Sequence, residues 1–400
     1  MYDLQLSAAD YQAYLHTLTK SHRIKIRTYM MTTDYRDYVE IPNKVLNGQV
    51  TVNANAQITT RVLTAEILDP DNTLGWEADD PTQAVMFSDK MIRIYYCVYV
   101  PDLSLADKWV SVPIFTGPII HAERNGAIVE IEANGKEVLA QEVWKSFSIP
   151  KNTNKAQAIK TIMGKAGESV NTMSIYSTSS KTNGMSIAYP KNFWVEMRKV
   201  ASSINHYAFF DGRGYLITRP YPTSTSISYV FSDGSGGMGN KQSASILSDV
   251  ELDFDVSEIR NTVKVTGKKK GKKAAPTYTA YPPKDHPLHP SNIGRYATAM
   301  YLPEEPIQDD KYTTVDACKK AATTRLDARL QTAIKIKFDS LPIPHLEPND
   351  WVSIKTNRIS HSFRLDEYTI PLSSESVMTL GYTRRLNVSS TSKIKKRSIV

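Results

Sequence analysis

Between Arg23 and Gln141 the chain offers one short alternating run after another and no helical period. Ile24/Ile26/Thr28/Met30, Val50/Val52, Val62 to Leu68, Ile92 to Val100, Val110 to Phe115 and Ile119 to Ile131 each place apolar residues on every second position. That is the spacing of strands with one face in a core. Turn signals separate them at Asn47-Gly48, Asp69-Pro70-Asp71-Asn72, Asn125-Gly126 and Asn134-Gly135, and the three Asn-Gly pairs predict tight hairpins. Strands this close together, with no helix between them, fit an antiparallel barrel better than a parallel sheet. Asp10 to Leu18, ahead of the first strand, reads as a helix or an edge segment.

The pattern changes near Pro150. Asn152 or Thr153 can cap a helix carrying Ala156, Ile159, Met163 and Ala166 on one face, and Gly167 stops it. A second helix follows with Phe193, Met197, Val200, Ala201 and Ile204 at helical spacing. Tyr207–Phe210 and Tyr215–Thr218 then form a hairpin across Asp211-Gly212-Arg213-Gly214. Further on, Thr313 or Thr314 caps a third helix through Val315, Cys318, Ala322, Leu326 and Leu330. Strands return at Ile334/Ile336/Phe338, Trp351/Val352/Ile354, Tyr368/Ile370 and Val377/Thr379/Gly381.

The stretch 248–273, SDVELDFDVSEIRNTVKVTGKKKGKK, carries the most unusual charge pattern. Asp249, Glu251, Asp253 and Asp255 alternate with Val250, Leu252, Phe254 and Val256, which predicts a strand with one acidic and one apolar face. Thr262–Thr266 is expected as its hairpin partner. Lys268, Lys269, Lys270, Lys272 and Lys273 then form a basic tip around Gly271 that cannot all be buried. No aromatic interleaves with the lysines to stack on bases, so a solvated hairpin tip or a contact with an acidic neighbouring subunit fits better than a nucleic-acid site.

With 400 residues the chain holds several cores, and its net charge of +8 is concentrated at 268–273 and 393–397. Cys97 and Cys318 have no paired spacing and are expected as buried free thiols. No run of apolar residues is long enough to span a bilayer, and the N-terminus lacks a leader pattern. His286 and His289 sit among prolines that keep them off a common helix face, and the glycine-rich loop 232–242 lacks a phosphate loop's lysine and hydroxyl positions. No nucleophile stands with a positioned base, so no catalytic, cofactor or metal residue is assigned. Trp76, Trp109 and Trp194 could stack on sugars, although core packing is the default for such residues.

Taken in order, DVSEIRNTVKVTG, an insertion, CKKAATTRLDARL and LPIPHLEPNDWVSI resemble the tail hub proteins of bacteriophages. WVEMRKVASSINHYAFFDGRGYLITRP and VPIFTGPIIHAERNGAIVEIEA resemble further parts of the same proteins. The resemblance implies a mainly β, baseplate-hub-like fold with α+β insertions: two antiparallel β-barrel-like domains plus two small α/β domains. The expected first barrel is 1–148, the small α+β domain 149–222, the second barrel 223–280 plus 334–388, the inserted helix-containing domain 281–333 and a flexible basic tail 389–400. It further implies a structural virion protein, not an enzyme, made in the host cytoplasm. The expected homotrimeric ring joins the tail tube and distal tail protein to the tip or fibre proteins, contacts the tape-measure protein and lets DNA pass without sequence recognition. On that reading Asp249, Glu251, Asp253 and Asp255 are candidates to face the lumen, while their alternation by itself requires only a strand face in water. The alternatives are a tail-associated cell-wall-degrading enzyme and a receptor- or carbohydrate-binding tip protein. Because only a short run follows the last strand, a lytic activity carried in cis, of the kind some hubs bear there, is not expected.

Overall fold

The computed structural model describes residues 1–20, 22–32, 37–41, 45–56, 58–75, 90–221, 227–233, 243–255, 260–269, 271, 274–286, 288–292, 303–309, 312–330, 332–356, 359–373 and 376–386. Its contacts divide into two compact units, Met1–Val250 with Lys337–Tyr382, and Glu251–Ile336 with Thr383–Val400.

The first unit is built on a large antiparallel sheet. Its strands are β1 (Ile24–Met31), β2 (Asp37–Ile41), β3 (Val45–Asn53), β4 (Arg61–Leu68), β5 (Met91–Tyr99), β6 (Trp109–Asn125) and β7 (Ile128–Asn134). From near the C-terminus come β22 (Glu367–Pro371) and β23 (Met378–Leu386), the latter counted in this unit as far as Tyr382. They lie in the order β23-β22-β3-β4-β7-β6-β5-β1-β2. The alternation read from the sequence is realised in β4, where Leu63, Ala65 and Ile67 are buried and Thr64 is exposed. β6 runs for 17 residues, pairing with β5 up to Pro118 and with β7 from Ile119, so one strand serves both halves of the sheet. Among the described residues no pairing joins the two ends of this order into a closed barrel.

Of the three Asn-Gly pairs, only Asn125-Gly126 makes the expected tight hairpin, between β6 and β7. Asn47-Gly48 lies inside β3, where the register shifts and Gly48 takes φ +137°. A Cβ there would lie 2.3 Å from the Thr64 carbonyl oxygen, so glycine serves a bulge at this point rather than a turn. Asn134-Gly135 ends β7 and leads into a 3-10 turn, Lys136–Ala140.

A layer of helices and short strands follows in the same unit: β8 (Phe147–Ile149), α2 (Lys155–Lys165), β9 (Met173–Ile175), β10 (Met185–Ile187), α3 (Phe193–Ser202), β11 (His206–Phe210) and β12 (Leu216–Pro220). The N-cap of α2 is Asn154, which accepts from the Ala156 and Gln157 amides, one position beyond the expected caps. Phe193, Trp194, Met197, Val200 and Ala201 of α3 pack with Ala158, Ile159, Ile162 and Met163 of α2. Two antiparallel strands, β11 and β12, form the predicted hairpin, and β9 adds to β12 in parallel. α1 (Ala8–Leu18), capped by Ser7, buries Tyr14, Leu15 and Leu18. A four-stranded sheet of β14 (Ser243–Ser245), β13 (Ile227–Ser232), β20 (Trp351–Lys355) and β21 (Ser360–Arg364) completes the unit.

In the second unit β16 (Val263–Thr266) pairs with β17 (Thr277–Ala280) and β18 (Ile307–Gln308). α4 (Val315–Arg329), capped by Thr314, lays Cys318, Ala322 and Leu326 against Val263, Val265 and Ala280. The acid-bearing strand is β15 (Glu251–Asp255), beside β19 (Thr332–Ser340) in sheet order. The expected hairpin between β15 and β16 is therefore replaced by separate partners. Val263 and Val265 of β16 find their apolar cover under α4.

Candidate functional site

Asp249, Glu251 and Asp253 are exposed, as the alternating pattern requires. The apolar half of that pattern is not realised at Leu252, which is 46% exposed. Val256 and the side chain of Asp255 lie outside the described residues. Lys268 and Lys269 are exposed, and the Lys268 amide is held by the Tyr312 carbonyl at 2.9 Å. Lys270, Lys272 and Lys273 fall outside the described residues, as do Trp76 and most of the glycine-rich loop.

A more coherent acidic surface arises on the outer face of the large sheet. Glu66 on β4 stands opposite Glu130 on β7, and Glu130 stands opposite Glu123 on β6. Two residues along each strand, on the same face, Thr64, Glu132 and His121 form the parallel row. These rows border a shallow cleft of about 260 Å3 that also takes in Asn47 and Gln49 of β3. With Glu367 on β22, the outward positions of β22, β3, β4, β7 and residues 119–125 of β6 hold five glutamates and no Lys or Arg. Carboxylates directly opposite one another across strands repel and cost stability. In a chain of net charge +8 this concentration is a feature that packing alone does not require.

The glutamates are legible one at a time, as polar positions of RVLTAEIL, HAERN, IVEIEAN and EYTIP. Their assembly into rows depends on the register of three strands. The bulge at Ile119/His121 on β6 brings His121 into line with Glu132 and Glu123 with Glu130.

Buried charges in the first unit are spent on holding its layers together. Arg61 pairs with Glu347 at 2.6 Å and donates to the Phe210 and Ile114 carbonyls. Lys136 pairs with Glu168 at 2.6 Å, and burial holds its amine below the ordinary lysine range. Glu137 accepts from the Thr60 amide at 3.2 Å and from the Thr59 and Thr60 hydroxyls. A second cleft, about 250 Å3, contains Tyr2, Asp211, Arg213, Arg219 and Glu347. There Arg213 is paired with Asp211 at 2.8 Å and packed on the Tyr2 and Tyr215 rings, so its charge is already committed.

His286, His289 and His345 serve the fold. His286 accepts from the Leu288 amide, and His289 bonds Ser291. His345 is buried between the hydroxyls of Tyr11 and Tyr14. Both cysteines are buried free thiols, and burial raises the Cys97 thiol above its ordinary range. Trp194 is in the core, stacked on Phe210. Among the described residues no helix is long and apolar enough to cross a membrane.

The backbone can be set beside known structures. The 43 kDa tail protein of prophage MuSo2 from Shewanella oneidensis superposes with a TM-score of 0.55 at 10% identity, over 90% of this chain and 98% of that one. A tail protein from Neisseria meningitidis MC58 gives 0.56 at 10% identity, over 90% and 97%. The chain has the fold of phage tail proteins. A Francisella PdpA-VgrG complex matches with a TM-score of 0.52 at 9% identity, and there this chain spans only 57% of the matched chain. No family model matches the sequence, and no curated protein matches it. The tail-protein fold is thus carried by architecture at an identity too low to transfer any residue's role. The resemblance read from the order of the sequence segments holds at the level of fold.

Proposed function

We propose that this chain is a structural hub of a bacteriophage tail tip or baseplate, acting as a homotrimeric ring and without catalysis. The ring joins the tail tube and distal tail protein to the tip and contacts the tape-measure protein, while DNA passes through its opening. The observation that carries this reading is the end-to-end likeness to two tail proteins, which covers nearly the whole of each. A threefold ring of a β-rich chain gives the tip a symmetric seat, and a mismatch between threefold tip and sixfold tube is met by geometry rather than chemistry.

The acidic surfaces support the DNA path. A wall carrying carboxylates repels the phosphate backbone at close range and keeps a passing duplex from adhering. Asp249, Glu251, Asp253 and Asp255 are proposed to face the passing duplex, and the glutamate rows of the sheet are proposed, independently, as a surface of the same kind. The lysine tip at 268–273 is proposed to meet a neighbouring subunit.

Two measurements test the reading. Light scattering on the purified protein is expected to give three times the 44.9 kDa chain mass, with no release of fragments from host cell wall. A monomer that cleaves wall would replace the hub by the enzyme reading. For the acids, lysine at Asp249, Glu251 and Asp253 together should impair DNA ejection, and normal infectivity would remove them from the channel.

A further inference from the structure

Trp144 is 78% exposed, while Trp194 is fully buried and Trp109 and Trp351 are half-buried. Its indole lies over the Tyr189 ring with centroids 4.1 Å apart and planes within 18°. The stack holds the indole in place from one side, so an apolar ring is presented to water in a fixed orientation.

The pair sits at one end of the ribbon formed by β8 and β10, where Phe147, Ser148 and Ile149 face Ile187, Ser186 and Met185. The apolar members of that ribbon pack on the core under α2 and α3. Ser148 and Ser186 are left side by side on the exposed face. Lys145 and Lys191 flank the aromatic pair and are anchored by the Lys165 and Ser186 carbonyls at 3.0 Å, with their charge uncompensated. At the far end stand Lys151 and Lys181, both exposed, after the hydroxyl run Ser177-Thr178-Ser179-Ser180. Six residues of extended chain separate Lys145 from Lys151, roughly 20 Å.

Among the described residues none of these four lysines meets a carboxylate within ion-pair distance. Residues 149–222 carry ten Lys and Arg against three acids, a local excess of +7. All three acids are engaged: Glu168 with Lys136, Glu196 with Lys199 and Asp211 with Arg213.

We propose that this strip binds an acidic glycan. The exposed indole face accepts the C–H face of a sugar ring, the serines and threonines exchange hydrogen bonds with its hydroxyls, and the lysines pair with carboxylate or phosphate groups along the chain. A track for single-stranded nucleic acid would set successive aromatics along the groove to stack successive bases. Here one aromatic pair is followed by hydroxyls, which suits a polyol.

The test uses the full-length chain and follows tryptophan fluorescence and heat of binding. The probes are an oligogalacturonate and a glycerol-phosphate teichoic polymer, with cellohexaose, poly-glutamate and oligo-dT as comparators. Saturable binding of at least one acidic glycan is expected, weakened by raised salt. Trp144→Ala should weaken it about tenfold or more, and a Lys145→Glu, Lys191→Glu double variant should do the same. Because Trp144 lies outside the core, its variant should keep the parent's unfolding midpoint. Trp144→Phe, which keeps a ring, should retain part of the affinity. Failure of both glycans to bind, binding indifferent to Trp144→Ala, or tighter binding of poly-glutamate or oligo-dT would each overturn the proposal. The measurement is made on the isolated protein, so its outcome is independent of the hub reading.

Discussion

Arg61 and Glu347 stand 286 residues apart in sequence and 2.6 Å apart in space, with side chains 3% and 9% exposed. The pair fastens β4 to the loop 341–350, and the same guanidinium satisfies the Phe210 and Ile114 carbonyls. One side chain therefore joins the sheet, the α+β layer and the loop before β20.

Removing either partner leaves the other charge buried. Arg61→Ala or Glu347→Ala is expected to cost about 3–5 kcal/mol, read as a lowered midpoint in denaturant unfolding. An Arg61→Met, Glu347→Leu double variant should recover much of that loss. A single variant as stable as the parent would show that the pair carries no such burden.

His345 supplies a pH dependence of definite sign. Burial between Tyr11 and Tyr14 lowers its pKa from 6.5 to about 3. Between these values the unfolded chain binds more protons than the folded one. The neutral imidazole's contribution is thus complete above pH 6.5 and is lost as pH falls towards 3, by up to about 1.4 kcal/mol per pH unit. Burial pushes the Glu347 carboxyl up while the Arg61 guanidinium pulls it down, and this pair is common to the parent and the His345 variant, so its own pH dependence cancels between them. Comparing unfolding curves of the parent and His345→Gln between pH 6.5 and 4 isolates the histidine, and equal slopes would refute the assignment.

Periodicity made the strands, helices and their caps legible because these depend on neighbours in the chain. Thr314 caps α4 as its sequence suggests, and Leu63, Ala65 and Ile67 point inward as their spacing requires. Pairing over long separations leaves no local mark. β22 aligns Tyr368 with Val52, and nothing in either segment names the other. Asn47-Gly48 misled because a bulge and a turn demand the same left-handed freedom. The acids at 249–255 are legible because they alternate within one short run, whereas Glu66, Glu123 and Glu130 become a row only once three strands are in register.

The cap of α2 separates these two kinds of information. Asn154 accepts from the Ala156 and Gln157 amides, while Thr153, the adjacent residue suggested by sequence, bonds only the Pro150 carbonyl through its hydroxyl. Asn154→Ala should cost about 1 kcal/mol, and Thr153→Ala within about 0.5 kcal/mol of nothing. Thermal melts of the two variants check the order.

Gly212 marks where the β11–β12 turn meets β6. A Cβ at this position would fall 1.9 Å from the Pro113 carbonyl oxygen, closer than any adjustment of a side chain can relieve. Gly212→Ala must displace backbone, with an expected cost of about 1–3 kcal/mol. Gly126→Ala is the control for placing alanine at a turn glycine, since nothing lies within 4 Å of its Cβ and only the φ of +60° opposes it. Circular dichroism melts should place Gly212→Ala below Gly126→Ala.

The glutamate rows set stability against the proposed passage of DNA. Glu130 lies between Glu66 and Glu123, so Glu130→Lys turns two repulsive cross-strand contacts into attractive ones. The isolated protein should gain about 0.2–1 kcal/mol, most clearly at low ionic strength, where surface charges are least screened. A lysine on a channel wall would at the same time hold the phosphate backbone it is meant to release. Tails carrying the variant should therefore assemble normally and eject slowly, a combination that a misfolded variant would not produce. A variant that is both more stable and fully infectious would remove this sheet face from the DNA path.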